Sequence, residues 1–143
     1  MSRVVKISLG AAICVAVFLI SLPTLVHKAG LHPKYLGPTV ELPGKRALII
    51  TTSHGVLAPV GETEGDRTGV MASEMTHPYY TFLEGGMDVD LASIRGGEIP
   101  IDPATLNFVV RSPEDDRFLE DSIAIAKAKH SIQIGRASCR ERV

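Results

Sequence analysis

The sequence predicts an α/β protein: the N-terminal part of a doubly wound, mostly parallel, flavodoxin-like sheet, preceded by one transmembrane helix. Three observations carry this. An apolar run of 20 residues, Ile7 to Val26, opens the chain. A short apolar run bounded by polar residues, Ala47-Leu48-Ile49-Ile50, is followed by a glycine-rich loop, an amphipathic segment and a second strand-like run, Met87 to Ser93. Strand, loop, helix, strand is a βαβ unit, which implies a parallel sheet. The chain then opens another helix at Ser112-Pro113-Glu114-Asp115-Asp116, with a cap, a proline at the first position and acids in the first turn. At 143 residues there is room for one domain, and a net charge of −1 gives no nucleic-acid footprint.

The apolar run is flanked by Arg3 and Lys6 and holds only Ser8, Ser21 and Thr24 as polar residues. Its length spans a bilayer as a helix. No convincing pair of small residues precedes a signal-peptidase cut between Ser21 and Gly30, so an uncleaved single-pass anchor is favoured over a cleaved signal. Ile13 before Cys14 argues against a lipoprotein site. The basic start is expected to stay inside, which puts the domain outside the cytoplasm. Residues 29–44 carry Pro33, Pro38 and Pro43 with Gly30, Gly37 and Gly44 and read as an extended linker.

Ala47 to Ile50 reads as a strand buried on both faces. Ser53 to Arg67 reads as a loop, and loops after the carboxyl ends of parallel strands build binding crevices. This loop carries Glu62, Glu64 and Asp66 and lacks a phosphate-binding glycine pattern. Thr68 is expected to cap a helix running to Glu84, with a kink or a break near Thr76-His77 from Pro78 and an end at Gly85-Gly86. Within it, Glu74 lies among Met71, Ala72 and Met75, one turn from the start. Partly buried at the crevice, its carboxyl would serve proton transfer. Spacing alone leaves a solvated helix-face glutamate as the simpler reading. Asp102 is expected to cap a short helical turn at Pro103 to Leu106, and Ser112 a helix reaching Lys129.

Taken in order, Ala47 to Gly55, then Thr68-Gly69-Val70, Glu74, His77-Pro78-Tyr79-Tyr80 and Phe82, then Gly86 to Val89, Ala92-Ser93, Gly96-Gly97 and Pro100 to Pro103 resemble the start of the ThiJ/PfpI superfamily. That is the class I glutamine amidotransferase-like fold, here similar to a membrane-anchored version of the branch with heat-shock-type chaperones and glyoxalases. The resemblance runs from Leu31 to Lys129. It implies that Glu74 hydrogen-bonds a cysteine nucleophile on a strained strand-to-helix elbow, where a carboxyl and a helix N-terminus tune the thiolate. It implies a small 2-oxoaldehyde substrate (glyoxalase- or deglycase-like) for the full-length parent, and a homodimer. No cofactor and no metal are expected. The sequence departs from the pattern: no Cys-His pair lies between Leu31 and Gln133, and Cys139 is followed by Arg140 in a polar tract.

Residues 134–143, Ile-Gly-Arg-Ala-Ser-Cys-Arg-Glu-Arg-Val, read as a translated sequencing adapter. The expected division is therefore an anchor or signal at 1–28, a linker at 29–44, an incomplete α/β domain at 45–133 and an adapter-derived tail at 134–143. The parent is then a membrane-anchored cysteine enzyme, inactive as the present chain. The alternative is a non-catalytic chaperone or binding module on the same fold. A metal site using His54 and His77 matches no ligand spacing.

Overall fold

A computed structural model of the chain describes residues 3–33 and 35–134. Of the expected tail only Ile134 falls among them, and the remainder, with Cys139, lies outside the described residues. The N-terminal helix and the α/β body belong to different compact units.

The first unit holds α1, Arg3–Lys28, which runs without a break through Pro23. Its portion Ser8–Lys28 is long and apolar enough to cross a membrane, and a signal sequence meets the same criterion. The Ser21 hydroxyl donates to the Phe18 carbonyl at 2.9 Å, so this polar group is satisfied inside the helix.

The second unit contains, in chain order, β1 (Arg46–Thr51), β2 (Val56–Leu57), β3 (Asp66–Arg67), α2 (Ala72–Glu84), β4 (Asp88–Ser93), a 3-10 turn (Pro103–Leu106), α3 (Pro113–Glu120), α4 (Ser122–Lys129) and β5 (Ile132–Gln133). The main sheet has the order β1-β4-β5, and both pairings are parallel. β1 and β4 pair along their whole length, from Arg46 opposite Asp88 to Thr51 opposite Ser93. The chain is thus α/β with a parallel sheet, as the strand-helix-strand spacing required.

The sheet packs one face on the core. Val89 and Leu91 of β4 are buried against Met75, Tyr79, Phe118 and Ala124, with Ala47 and Ile49 of β1 packed alongside. Residues alternate across a strand, so Leu48 and Ile50 point the other way, and they are 49% and 60% exposed. The expectation that Ala47 to Ile50 is covered on both faces is therefore corrected. The reason is topological. Both crossovers, β1 to β4 and β4 to β5, step in the same direction, and right-handed crossovers of one direction lay their helices on one face. Above β5, the outer edge of β4 is closed by a side chain: the Lys127 ammonium donates to the Val89 carbonyl and lies 3.6 Å from Asp90. Arg46 holds Asp90 from the neighbouring strand at 2.8 Å. That hydrogen bond, with Lys127 adding to it, keeps the Asp90 carboxyl below the usual aspartate range.

The segment read as a linker joins the body at its end. Leu42 donates to the Gly85 carbonyl at 2.7 Å and Gly44 to Gly86 at 3.3 Å. Gly86 takes φ +79°, the left-handed turn after a helix end that glycine adopts without strain.

α2 begins at Ala72, three residues later than expected. Thr68 and Gly69 precede an extended pairing: Val70 bridges Ile101 in parallel, its amide donating to Pro100 at 2.9 Å. The cap on α2 comes from elsewhere, as the Thr105 hydroxyl accepts from the Ala72 amide at 3.1 Å. The helix continues through Pro78, so of the kink or break expected there the break does not occur. Pro78 lies on a half-buried face, and only the one donor that would have reached Glu74 is lost. The expected helix from Ser112 to Lys129 is two helices. Asp121 ends α3 and caps α4, accepting from Ile123 and Ala124 at 2.9 and 3.0 Å, and a side chain that binds both amides redirects the chain there. The caps at Asp102 and Ser112 form as the residues predict, the latter as a full capping box with Asp115.

Candidate functional site

The carboxyl ends of β1 and β4 lie side by side, and the segments leaving them meet. The Arg95 amide donates to the Ser53 hydroxyl at 2.9 Å, and the Arg95 guanidinium donates to the Ser53 carbonyl. Gly96 and Gly97, at φ +67° and +75°, turn the chain back. Gly97 exchanges two backbone hydrogen bonds with Ser131, at 3.0 and 2.9 Å, and the buried Ser131 hydroxyl lies 3.1 Å from that of Ser93. These contacts tie three strand ends into one rigid edge.

The loop Ser53 to Arg67 is more ordered than its composition suggests. It folds on itself as the antiparallel pair β2 and β3, with Val56 opposite Arg67 and Leu57 opposite Asp66. Gly65 is required there, because a β-carbon would sit 2.1 Å from the Leu57 carbonyl oxygen. Between this ribbon and the rigid edge is an open depression of about 670 Å³. Ser53, Gly55, Val56, Arg67, Arg95 and Glu98 are among the residues that line it. Ile99, Ile101 and Leu106 add apolar surface to the lining. The loop that sequence reasoning marked for site residues thus contributes to this depression, at the sheet edge where ligands of parallel sheets bind.

Glu74 does not line this depression. It is exposed on the first turn of α2. The buried residues of that helix, Ala72, Ser73, Met75, Thr76, Tyr79 and Tyr80, form one face, and at 3.6 residues per turn position 74 falls opposite its centre. The expectation of a partly buried carboxyl at Glu74 is therefore corrected for this structure. The buried carboxyl is Asp115, 1% exposed, which accepts from the Thr76 hydroxyl at 2.6 Å and from the Ser112 amide at 2.8 Å. It joins α3 to the inner face of α2. The capping sequence pointed to Asp115 as a helix-start acid, but nothing local revealed that Thr76 would reach it.

The other residues weighed from sequence are dispersed. His77 Nε2 lies 3.1 Å from Glu114, linking α2 to α3. The His54 amide is held by the Thr52 hydroxyl at 2.8 Å. Among the described residues no group of three His, Cys, Asp or Glu side chains converges as metal ligands would. Cys14 is exposed on α1. Two aromatic hydroxyls are perturbed: burial, then the Asp121 carboxylate, pushes both Tyr79 and Tyr80 upward, and Tyr80 donates to Asp121 at 3.2 Å under the Arg117 guanidinium. Their burial in the α2–α3–α4 packing marks them as structural.

No family model matches the chain, and no curated protein matches it. Solved structures do. The crystal structure of the Rapid Encystment Protein of 24 kDa (REP24) of Francisella tularensis is 37% identical over 62% of this chain and 37% of that one, with a TM-score of 0.53. A second crystallographic structure, of APC35852, is 34% identical over 64% of this chain and 35% of that one, with a TM-score of 0.48. The chain therefore spans little more than a third of the length of either. Over the matched part, it has a fold related to that of REP24.

Proposed function

We propose that residues 45–133 are the N-terminal portion of a ThiJ/PfpI-type, class I glutamine amidotransferase-like domain. In this reading its parent acts on small 2-oxoaldehydes through a cysteine nucleophile that the present sequence does not contain. The observation that supports this reading most is the ordered set of residues quoted above, now seen on a parallel β1–β4 pair whose carboxyl ends carry Ser53-His54-Gly55 and Arg95-Gly96-Gly97. The related fold of REP24, matched over only 37% of its length, adds support for a longer parent. So does the open sheet face at Leu48 and Ile50, which a doubly wound domain covers with further helices.

The role proposed for Glu74 is to hold the nucleophile's proton and orient its sulfur. In the present chain the carboxyl is exposed, so it is accessible to an elbow contributed by the rest of the parent. α1 is proposed to tether the domain to a membrane on its extracytoplasmic side, with a homodimer as the working assembly.

The test begins with the source gene. Reading its frame past Gln133 is expected to give a second βαβ half with a Cys-His pair. In that full protein, Glu74→Gln should lower turnover of methylglyoxal by about a hundredfold or more with the fold intact, the range seen when a proton-handling side chain is removed. A frame with no cysteine at the elbow would remove the enzyme reading and leave the chaperone or binding module, which predicts suppression of client aggregation without turnover. Unchanged turnover in Glu74→Gln would remove the role assigned to that residue.

A further inference from the structure

The depression at the carboxyl edge has a charge pattern that the cysteine chemistry does not use. β2 and β3 form a two-stranded ribbon, and directly opposed residues of such a ribbon share a face. Val56 and Arg67 are such a pair, and both line the depression. Leu57 and Asp66, the next pair, are exposed and absent from its lining. The acid adjacent to Arg67 is therefore turned away, and Glu62 and Glu64 of the same loop are also absent from the lining.

Arg67 makes no salt bridge among the described residues. Arg95 also reaches the depression, and its guanidinium is positioned by the Ser53 carbonyl. The Ser53 hydroxyl accepts from the Arg95 amide at 2.9 Å, which leaves its own proton to donate. One carboxylate, the exposed Glu98, lies on the lining, so the positive groups outnumber it two to one. Ile99, Ile101 and Leu106 share the lining with them. Two guanidinium side chains and an apolar group in one lining suit a short organic carboxylate, its head on the arginines and its carbon chain on the apolar residues.

We propose that this depression is a binding site for a short-chain organic carboxylate, with Arg67 as its principal anchor. The site lies wholly on the present chain. It goes beyond the enzyme reading, and it would restrict that reading's substrates or products to those bearing a carboxylate.

The experiment uses the full chain in detergent micelles, titrated with butyrate and with butyramide as its neutral isostere, and read by calorimetry and by NMR shifts. Butyrate is expected to bind with a Kd on the order of 1 mM, a reasonable scale for so small a ligand, and butyramide at least about tenfold more weakly. Affinity should rise about fourfold per methylene from acetate to butyrate if the apolar residues take the chain. Arg67→Gln, at an exposed position, should weaken butyrate at least about tenfold with unchanged melting, and Glu98→Gln should tighten it. Equal binding of butyrate and butyramide, no binding of either, or an unchanged Kd in Arg67→Gln would each overturn the proposal. Binding of inorganic phosphate as tightly as butyrate, with no chain-length trend, would also overturn it by showing a site for charge alone. Turnover by the full parent without butyrate binding would leave the enzyme reading standing and remove this one. The converse result would do the opposite.

Discussion

At the residue scale, the most consequential carboxyl for folding is Asp115. Its two oxygens take the Thr76 hydroxyl and the Ser112 amide, while its own amide is held by the Ser112 hydroxyl at 3.1 Å. All three residues are buried. Asp115→Ala would leave a buried hydroxyl and a buried amide unpartnered, and each such loss costs about 1–3 kcal/mol. The variant should therefore lose roughly 3 kcal/mol of stability, measured as a shift in denaturant midpoint with unchanged slope. Asp115→Asn keeps an acceptor and should lose less. A midpoint within error of the parent chain would show that α3 is not anchored through this residue. Glu74 contrasts with it: it sits opposite the centre of the buried face of α2, so Glu74→Gln should leave the same midpoint nearly unmoved. That separation allows a catalytic effect of Glu74 to be read without a folding artefact.

At the element scale, the pairing of residues 68–70 with 100–102 decides where α2 starts and how the depression is walled. It requires Gly69. A β-carbon there would lie 2.1 Å from the Pro100 carbonyl oxygen, a backbone atom that cannot swing aside. Gly69→Ala should break the Val70–Pro100 and Asp102–Val70 hydrogen bonds and cost roughly 3 kcal/mol. Gly97 has open space around it and only its φ of +75° to defend, so Gly97→Ala should cost about 1 kcal/mol. Equal losses measured in the two variants would refute the steric account. This pairing also shows where sequence reasoning stopped. The strands β1 and β4, the caps at Asp102 and Ser112 and the glycine end of α2 were legible because each rests on neighbours in the chain. The start of α2 was not, because Thr105, 33 residues away, supplies the cap that Thr68 was expected to give. Likewise the break between α3 and α4 was not legible, because the Asp121 side chain that caps α4 lies inside a stretch read as one helix from Ser112 to Lys129. The ribbon β2–β3 was hidden because its two-residue strands are too short for any period to show.

At the scale of the whole molecule, the parallel order β1-β4-β5 leaves work undone on one side. Leu48, Ile50 and Ile132 are exposed, at 49%, 60% and 48%. Sequence reading implied burial of Leu48 and Ile50 and did not foresee a strand at Ile132; it could not show that both crossovers step the same way, which is a property of strand order and of no single segment. The depression was legible as a place, from the rule that loops after parallel strands build crevices, but its arginines were not, since only the cross-strand register of Val56 with Arg67 sets the face. The open face has a consequence in solution. An apolar sheet face beside an unpaired β1 edge is a surface for association. Residues 36–134 expressed without α1 should therefore self-associate at micromolar concentration, seen as high-mass species in light scattering. Leu48→Lys with Ile50→Thr places polar groups on that face while Ala47 and Ile49, which pack on the core, are untouched. The double variant should shift the protein toward monomer without lowering its melting temperature. A wild-type fragment that is monodisperse and melts cooperatively would show that the face is tolerated by water as it stands, and would remove the need for further structure to cover it.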